Sequence, residues 1–489
     1  MLEALKRSWA IPLICGLFIA LNAVLMADST FWLNLLPVAL LIGWSMLVAV
    51  DRLLIFLVFA TPLSINLEEL DIGGIGIALP TEPIMVGLTV LFLLRSSLER
   101  GLIEERVWRH PITLIILAQL AWMAVCVLPS SMPLVSLKSL LARFWFVTTM
   151  YFMITRLFRD PRKVHGFFWA YMGGLAIVVT YTLIHHAQNG FAQEPAHWVM
   201  SPFFKDHTSY GAIIAFFLPF SIAAISFPGY SRTRKGVAFI LFIILALGLF
   251  FSYTRAAWLS LVGALGMLLV LRMRIPPWVL LLSLLTVGGV VIYEQEQIMI
   301  ALERNRDESS DNIGEHVKSI SNISSDASNL ERINRWNSAV RMFKAKPIFG
   351  WGPGTYMFQY GPFQAAKDRT IISTNFGVMG NAHSEYLGPL SEQGIPGIGL
   401  MLALVIVTMT TVMRLYHRMP KNDDRRLLLA AFLGLVTYYL HGALNNFLDT
   451  DKASVPFWAF TALVVLLDIK YPRDATLDAP RTEIPASVS

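Results

Sequence analysis

Long apolar runs, bounded by charged residues or by Pro and Gly, recur along most of the chain. They fall at about 9–26, 31–50, 53–65, 79–94, 111–128, 140–157, 166–186, 208–227, 237–252, 256–271, 276–293, 397–413, 427–446 and 455–469. A helix needs roughly 20 apolar residues to cross a bilayer, and these runs are continuous where barrel strands would alternate. The pattern predicts an all-α, polytopic integral membrane protein. Segments 53–65 and 237–252 are short for a span, so about 12–14 transmembrane helices are expected. Lys6 and Arg7 precede the first run, which is longer than the roughly 7–15 residues of a cleaved signal core. It reads as a retained signal anchor with the N-terminus inside.

One segment departs from short connections. Residues 294–396 form a large loop on the outer side, and loops beyond roughly 15 residues are usually functional or disordered. Its stretch 303–328 is polar and weakly structured. After it, Ser328-x-x-Glu331 reads as a capping box opening an amphipathic helix near 329–346, with Ile333, Trp336, Val340 and Phe343 on one face and Pro347 and Gly350 as the stop. The expected organisation is an N-terminal membrane region over 1–293 with about eleven spans and the loop over 294–396. C-terminal spans follow over 397–469, then a disordered cytoplasmic tail over 470–489.

Composition narrows the class. Hydrophobic residues make up 55% of the 489 positions and charged residues 15%, against about a quarter charged in soluble domains. A soluble enzyme, a disulfide scaffold and a disordered chain are excluded. The net charge of +6 does not point to nucleic acid, because its placement follows membrane topology. Arg95, Arg100, Arg106 and Arg109 fall on the expected inner side, as do Arg156, Arg159, Arg162 and Lys163. Arg232, Arg234 and Lys235 follow, then Arg414, Arg418, Lys421, Arg425 and Arg426. Short outer loops hold Lys138, Lys205 and Lys452. That asymmetry is the positive-inside rule, and it puts both termini in the cytoplasm. Cys15 and Cys126 lie in apolar runs and offer no disulfide framework or CxxC site.

Cations beside apolar spans are the candidate chemistry, since an intramembrane charge is costly unless paired or hydrated. Arg255, in FFSYTRAAWLSLVG, stands between two runs at the outer face. It reads either as an interfacial arginine snorkelling to headgroups or as an anion site, a guanidinium being a bidentate fork for phosphate. Arg143, and Lys138 near the outer entrance of its span, carry the same two readings. The predicted spans hold almost no Asp or Glu, the usual relays of coupled transporters, which favours an anionic ligand over a cation pathway. Arg332 and Arg335 lie on the loop helix, as a solvated face or as anion ligands. The turn Gly350-Trp351-Gly352-Pro353-Gly354 is neither a Walker A nor a Rossmann fingerprint and reads as a surface turn. His383, in NAHSEYLGPLSEQGIPG, stands where the loop re-enters the membrane. It is either an interfacial hydrogen-bonding residue or a base for a hydroxyl nucleophile. His185, His186 and His207 line another outer end. No metal-ligand spacing is present, so no metal site and no cofactor are expected. Asp449 and Asp451 read as a solvated outer loop.

Three blocks together resemble the O-antigen ligase and polymerase superfamily of bacterial membrane glycosyltransferases: SYTRAAWLSLVG at 252–263, ERINRWNSAVRMFKAKPIFGWGPGTY at 331–356 and NAHSEYLGPLSEQGIPGIG at 381–399. A weaker fourth is KDHTSYGAIIAFFLPF at 205–220. The resemblance implies a fold like the GT-C glycosyltransferases and a bacterial inner-membrane location with the site facing the periplasm. It also implies transfer of a glycan from undecaprenyl pyrophosphate to an acceptor hydroxyl without a metal. By the same likeness, Arg255, Arg332 and His383 are the catalytic residues; on the residues' own chemistry, Arg143, Lys138 and Arg335 are expected to join Arg255 and Arg332 in holding the pyrophosphate. Many members have His-Asn where this chain has His383-Ser384, which puts an asparagine-dependent contact in doubt. The expected partners are the lipid-linked donor, lipid A-core or a growing glycan as acceptor, and membrane lipids. A ligase leads, a Wzy-like polymerase with the same donor is the near alternative, and a lipid-linked sugar flippase or transporter is the rival class.

Overall fold

A computed structural model describes residues 9–67, 76–276, 327–370, 373–374 and 380–472, with single positions between 278 and 293. Lys6, Arg7, most of the expected span at 276–293, nearly all of 303–328 and the tail from 473 onward lie outside the described residues.

The other thirteen expected spans are helices. They are α1 Ala10–Ala27, α2 Leu35–Val48, α3 Val50–Ala60, α4 Thr81–Leu98 and α5 Pro111–Val127. Next comes α6 over 133–157, a continuous rod that widens to π-helical winding across Thr148–Met153. Then follow α7 Pro161–Gln188, α8 His207–Ser226, α9 Arg232–Phe250 and α10 Arg255–Met273. The loop helix is α11 Ala327–Ala345, and α12 Leu387–Arg418, α13 Asp423–His441 and α14 Asp451–Lys470 close the described chain. Among the described residues, seven helices (α4, α7, α8, α9, α10, α12 and α14) are long and apolar enough to cross a membrane, and α1, α2 and α5 are shorter apolar helices. The protein is an all-α polytopic membrane protein. The short run at 53–65 becomes the 11-residue α3, which at ~1.5 Å per residue reaches only about half the ~30 Å of hydrocarbon.

The chain divides at Leu57 into two units. In the first, α1 and α2 keep their apolar side chains exposed and α2 has no buried residue, as suits surfaces that meet lipid. The Asn22 amide donates to Asn34 Oδ1 at 2.7 Å, tying α1 to the start of α2.

In the second unit α8 runs through the core, buried along most of its length. Phe217 stacks on Tyr171 of α7 at 4.1 Å and Phe220 on Phe168 at 4.0 Å. Helix starts are set by local chemistry. Asp160 caps α7 through Arg162 N at 2.9 Å with Pro161 at the first position, Asp206 caps α8 through Ser209 N at 2.8 Å, and Asn422 caps α13 through Arg425 N at 3.1 Å. One end of this unit carries a part-buried ionic staple. Asp468 of α14 accepts from Arg418 of α12 at 2.6 Å and meets His110 Nε2 at 3.2 Å. The opposite end carries the candidate site.

The re-entering helix α12 is bent at Gly394, whose φ of 68° lies in the left-handed region open to glycine. A Cβ there would fall 2.2 Å from the Ile348 carbonyl oxygen. The close approach is used. Ile395 N donates to Pro347 O at 3.0 Å, Trp351 N to Ser391 O at 3.1 Å and Gly352 N to Glu392 O at 2.9 Å. The glycine-rich turn was expected at the surface; it is instead a structural turn sewn onto the first part of α12, with Gly350, Gly352 and Pro353 buried.

Candidate active site

The loop helix buries a different face from the one its apolar periodicity predicts. Glu331, Asn334, Arg335, Ser338, Ala339 and Met342 are buried, while Ile333, Trp336, Val340 and Phe343 are only partly so. The loop supplies a small core of its own, in which Ala339 and Met342 pack with Tyr356, Tyr360 and Ala382. The polar stripe is buried because its bonds are made internally. Arg335 Nε donates to Glu331 at 2.6 Å, and its guanidinium lies 4.0 Å from the Tyr360 ring centroid. Asn334 donates to Gln364 at 2.8 Å, and Ser373 donates to Glu331. The capping-box reading is corrected accordingly. The helix already runs from Ala327, and the Glu331 carboxylate is held by Arg335 and Ser373 instead of reaching back to a cap. Burial works to raise the Glu331 carboxyl, but Ser373, Arg335 and Asn334 bond it and hold it below the ordinary carboxylate range.

His383 sits directly against this helix. Its carbonyl accepts from Trp336 Nε1 at 3.2 Å, and its N–H donates to Asn381 Oδ1 at 3.1 Å. Those bonds hold it at φ 47°, a left-handed backbone that a non-glycine residue seldom adopts without support. Burial, then Arg332, then Arg335 push its imidazole down to about 4, against opposing pulls from Asn445 and Asp206. At neutral pH the ring is an uncharged base beside two guanidinium groups.

Three further chain segments meet here. Asp206 caps α8, and although burial works to raise its carboxyl, bonds from Thr208 and Ser209 and the adjacent His207 hold it below the usual range. Thr254 Oγ1 donates to the His207 carbonyl at 2.7 Å, an approach that needs Gly211, since a Cβ there would lie 2.8 Å from Thr254. The residue after Thr254 is Arg255, the first of α10, which is partly buried and bonds to no other described side chain. The His441 ring, at the end of α13, lies near Ala256, and its Nδ1 is buried without a hydrogen-bond partner among the described residues. His441 Nε2 meets the Asn445 amide at 3.1 Å, and Asn445 lies near the His383 ring. The starts of α8, α10 and α12 and the end of α13 thus share one end of the unit.

Arg332, Arg335 and His383 come together, and Arg255 starts the helix turn that meets His207 and His441. Arg143 and Lys138 do not join them. Arg143 lies 5.8 Å from the Trp458 ring centroid and faces Glu385, Glu392 and Asp449. Lys138 is exposed and faces Glu82 on α4. His186 is buried, bonds to the Ala192 carbonyl at 2.7 Å and packs on Phe191 and Phe251, a structural arrangement. Asp451 departs from the solvated-loop reading. It is 2% exposed and accepts from Ser64 at 2.5 Å and Thr81 at 2.6 Å, with Lys452 at 3.5 Å. The sequence reading missed His441, Asn445, Asp206 and Glu385. The Asp206-His207-Thr208-Ser209 cap pattern was legible as a helix start, but no local signal marks His441 or Asn445 as neighbours of His383.

The described chain is thus a helical, multi-pass membrane protein with a histidine beside two arginines at one end of its second unit. Residues 240–402 match the family model described as O-antigen ligase, which spans 163 of the 489 positions. The three resembling blocks all fall inside that region, so the likeness to the O-antigen ligase and polymerase superfamily is borne out, and the match supports a function of O-antigen ligase or polymerase type in general. No curated protein matches the chain.

Proposed function

We propose that the protein is a glycosyltransferase of the inner membrane that moves a glycan from undecaprenyl pyrophosphate to an acceptor hydroxyl at the periplasmic face, as an O-antigen ligase acting on lipid A-core. The observation that carries the reading is the meeting of His383 with Arg332 and Arg335, in a region matching the O-antigen ligase family. In the reaction the acceptor O–H gives its proton to His383 as the new bond to the anomeric carbon forms. The bond from that carbon to the pyrophosphate oxygen breaks, and the lipid pyrophosphate leaves. Arg255 and Arg332 offset the negative charge that develops on the leaving group. Arg335, already paired with Glu331, adds its field and shapes the loop helix. Arg143 and Lys138 stand apart and act on the carrier or the acceptor glycan. Fixed positioning of donor and acceptor at the membrane surface supplies the remaining advantage. On this reading the loop over 294–396 is periplasmic and both termini are cytoplasmic.

The test uses purified full-length protein, an undecaprenyl pyrophosphate-linked oligosaccharide and lipid A-core, each with and without the other. Glycan on lipid A-core supports the ligase. A ladder growing on the carrier without added acceptor makes the protein a polymerase. No transfer from folded protein under either condition overturns the reading in favour of a flippase.

A further inference from the structure

At the end of the second unit away from His383, beside the Asp468 staple, lies a cavity of about 440 Å³, within the roughly 300–1,000 Å³ of ordinary ligand pockets. Four helices bring their ends to it: α6 stops at Leu157, α7 starts at Pro161, α13 starts at Asp423 and α14 stops at Lys470. The inner wall is apolar and buried, formed by Phe158, Val164, Leu427, Leu463 and Leu467. The mouth is charged, formed by Arg106, Arg159 and Lys470 with the carboxylates of Glu104 and Asp424. Leu463 stands seven positions before Lys470, roughly 10 Å down the helix at ~1.5 Å per residue. That depth covers a headgroup layer of roughly 5–7 Å and the first methylenes below it. The two carboxylates are not equally spent. Asp424 accepts from Lys470 at 2.7 Å and from the Tyr471 hydroxyl at 2.9 Å. Glu104 lies 3.9 Å from Arg106 Nε and 3.9 Å from an Arg159 terminal nitrogen, beyond hydrogen-bonding distance. Among the described residues, neither guanidinium gives a hydrogen bond to a protein acceptor.

We propose that this cavity binds an anionic phospholipid of the leaflet away from the candidate site, its phosphate bridging Arg106 and Arg159 and its upper chain lying on Leu463 and Leu467. The proposal is independent of the transferase reading. Two planar forks with unspent N–H groups, drawn together over one carboxylate, suit an oxygen-rich anion shared between them. Three cations against two carboxylates leave the mouth one positive charge in excess, which a phosphodiester neutralises. A soluble phosphate would use the mouth and leave the apolar wall idle, and a zwitterionic lipid would leave the excess charge unmet. Basic pockets between membrane helices take acidic headgroups for the same two reasons. A lipid held there connects the short helix Glu105–Trp108 to α7 and α14. Those helix ends are otherwise joined by surface ion pairs, which contribute little.

The experiment titrates full-length protein, delipidated in mild detergent, with phosphatidylglycerol or phosphatidylcholine of the same chains, and with glycerol 1-phosphate as a soluble headgroup. Native mass spectrometry counts bound lipid, and thermal melting follows its effect. Phosphatidylglycerol is expected to raise the Tm and to bind at least about fivefold more tightly than phosphatidylcholine, the scale of one basic residue acting on an acidic lipid. Arg106→Gln with Arg159→Gln should weaken it about 10- to 100-fold, the scale of losing charge-assisted hydrogen bonds. Arg109→Gln with Arg162→Gln removes the same charge from the same end outside the cavity and should leave binding unchanged. Leu466→Trp, at a partly buried position of the wall, narrows the cavity without touching charge and should also weaken binding. Melting without lipid checks that each variant is folded. Equal binding of the two lipids, or equal loss in the two pairs of arginine variants, overturns the site. If glycerol 1-phosphate stabilises the protein as much as the lipid does, or folded Leu466→Trp binds lipid normally, the wall holds no acyl chain and the lipid assignment falls.

Discussion

The Glu385 carboxylate accepts the backbone N–H of Phe447 at 2.6 Å across 62 positions of sequence. With the bonds from Leu448 and Tyr438 to the same oxygen, it joins the segment before α12 to the turn after α13. The candidate base and its neighbours on α13 therefore move together or not at all.

Removing that carboxylate strands three buried donors. Each costs about 1–3 kcal/mol when left unsatisfied, so Glu385→Ala should lower the melting temperature markedly and abolish transfer. Glu385→Gln keeps an acceptor oxygen and should retain most of the thermal stability. Equal melting curves for Glu385→Ala and the wild type in detergent would contradict the clamp.

Arg255 has no protein partner among the described residues that its loss would strand. Arg255→Ala should leave expression, insertion and melting near wild type while transfer falls about 10²- to 10³-fold, the usual scale for losing one preorganised charge-stabilising donor. Arg255→Lys should recover part of the rate, because it restores charge without the bidentate fork. Single-turnover transfer of the lipid-linked glycan gives the measurement, and full activity in the alanine variant would return Arg255 to a headgroup-snorkelling role.

Arg335 is expected to behave differently. It and Glu331 form a buried pair, with side chains 5% and 7% exposed, and removing one partner of such a pair typically costs about 3–5 kcal/mol. Arg335→Ala should therefore destabilise the protein as well as slow it, and Glu331→Gln with Arg335→Met should recover stability without recovering rate. Because the Glu331 carboxyl is held below its ordinary range, the pair's contribution is present above about pH 4.5 and is lost as pH falls through the lowered value. Melting temperature against pH for the wild type and the double variant reads this directly.

The pH dependence of transfer carries its own sign. His383 is depressed from 6.5 to about 4 in the free protein, so the ring is already a neutral base at pH 6. On the acid side kcat/KM should hold down to about pH 5, because that quantity reports the free enzyme. A bound pyrophosphate offsets the field of Arg332 and Arg335 and makes the imidazole more basic, so the acid limb of kcat should lie at higher pH than that of kcat/KM. His383→Ala should remove both limbs and about 10²- to 10⁴-fold of rate. Coincident acid limbs near pH 6.5 would mean that His383 is not the proton acceptor.

The membrane class and thirteen helices were legible because length, apolarity and the placement of Lys and Arg are properties of local sequence. Arg255 and His383 stood out as candidates because a cation beside an apolar span and a histidine at a re-entry point show up in one dimension, and Arg332 stood out through the family-like block at 331–356. The face of the loop helix was misread for the same reason. Periodicity registers Ile333, Trp336, Val340 and Phe343 as the face to bury, but burial went to Glu331, Asn334 and Arg335, whose partners Tyr360, Gln364 and Ser373 lie 25 to 42 positions away. Sequence by itself determined which residues pay for lipid or water as solvent, since each residue carries that preference alone. Tertiary structure decided which polar groups satisfy one another, from Asp451 with Ser64 and Thr81 to Glu385 with Phe447 and Tyr438. A hydrogen bond needs two partners within about 3 Å, and only the packing of helices brings such distant positions to that separation.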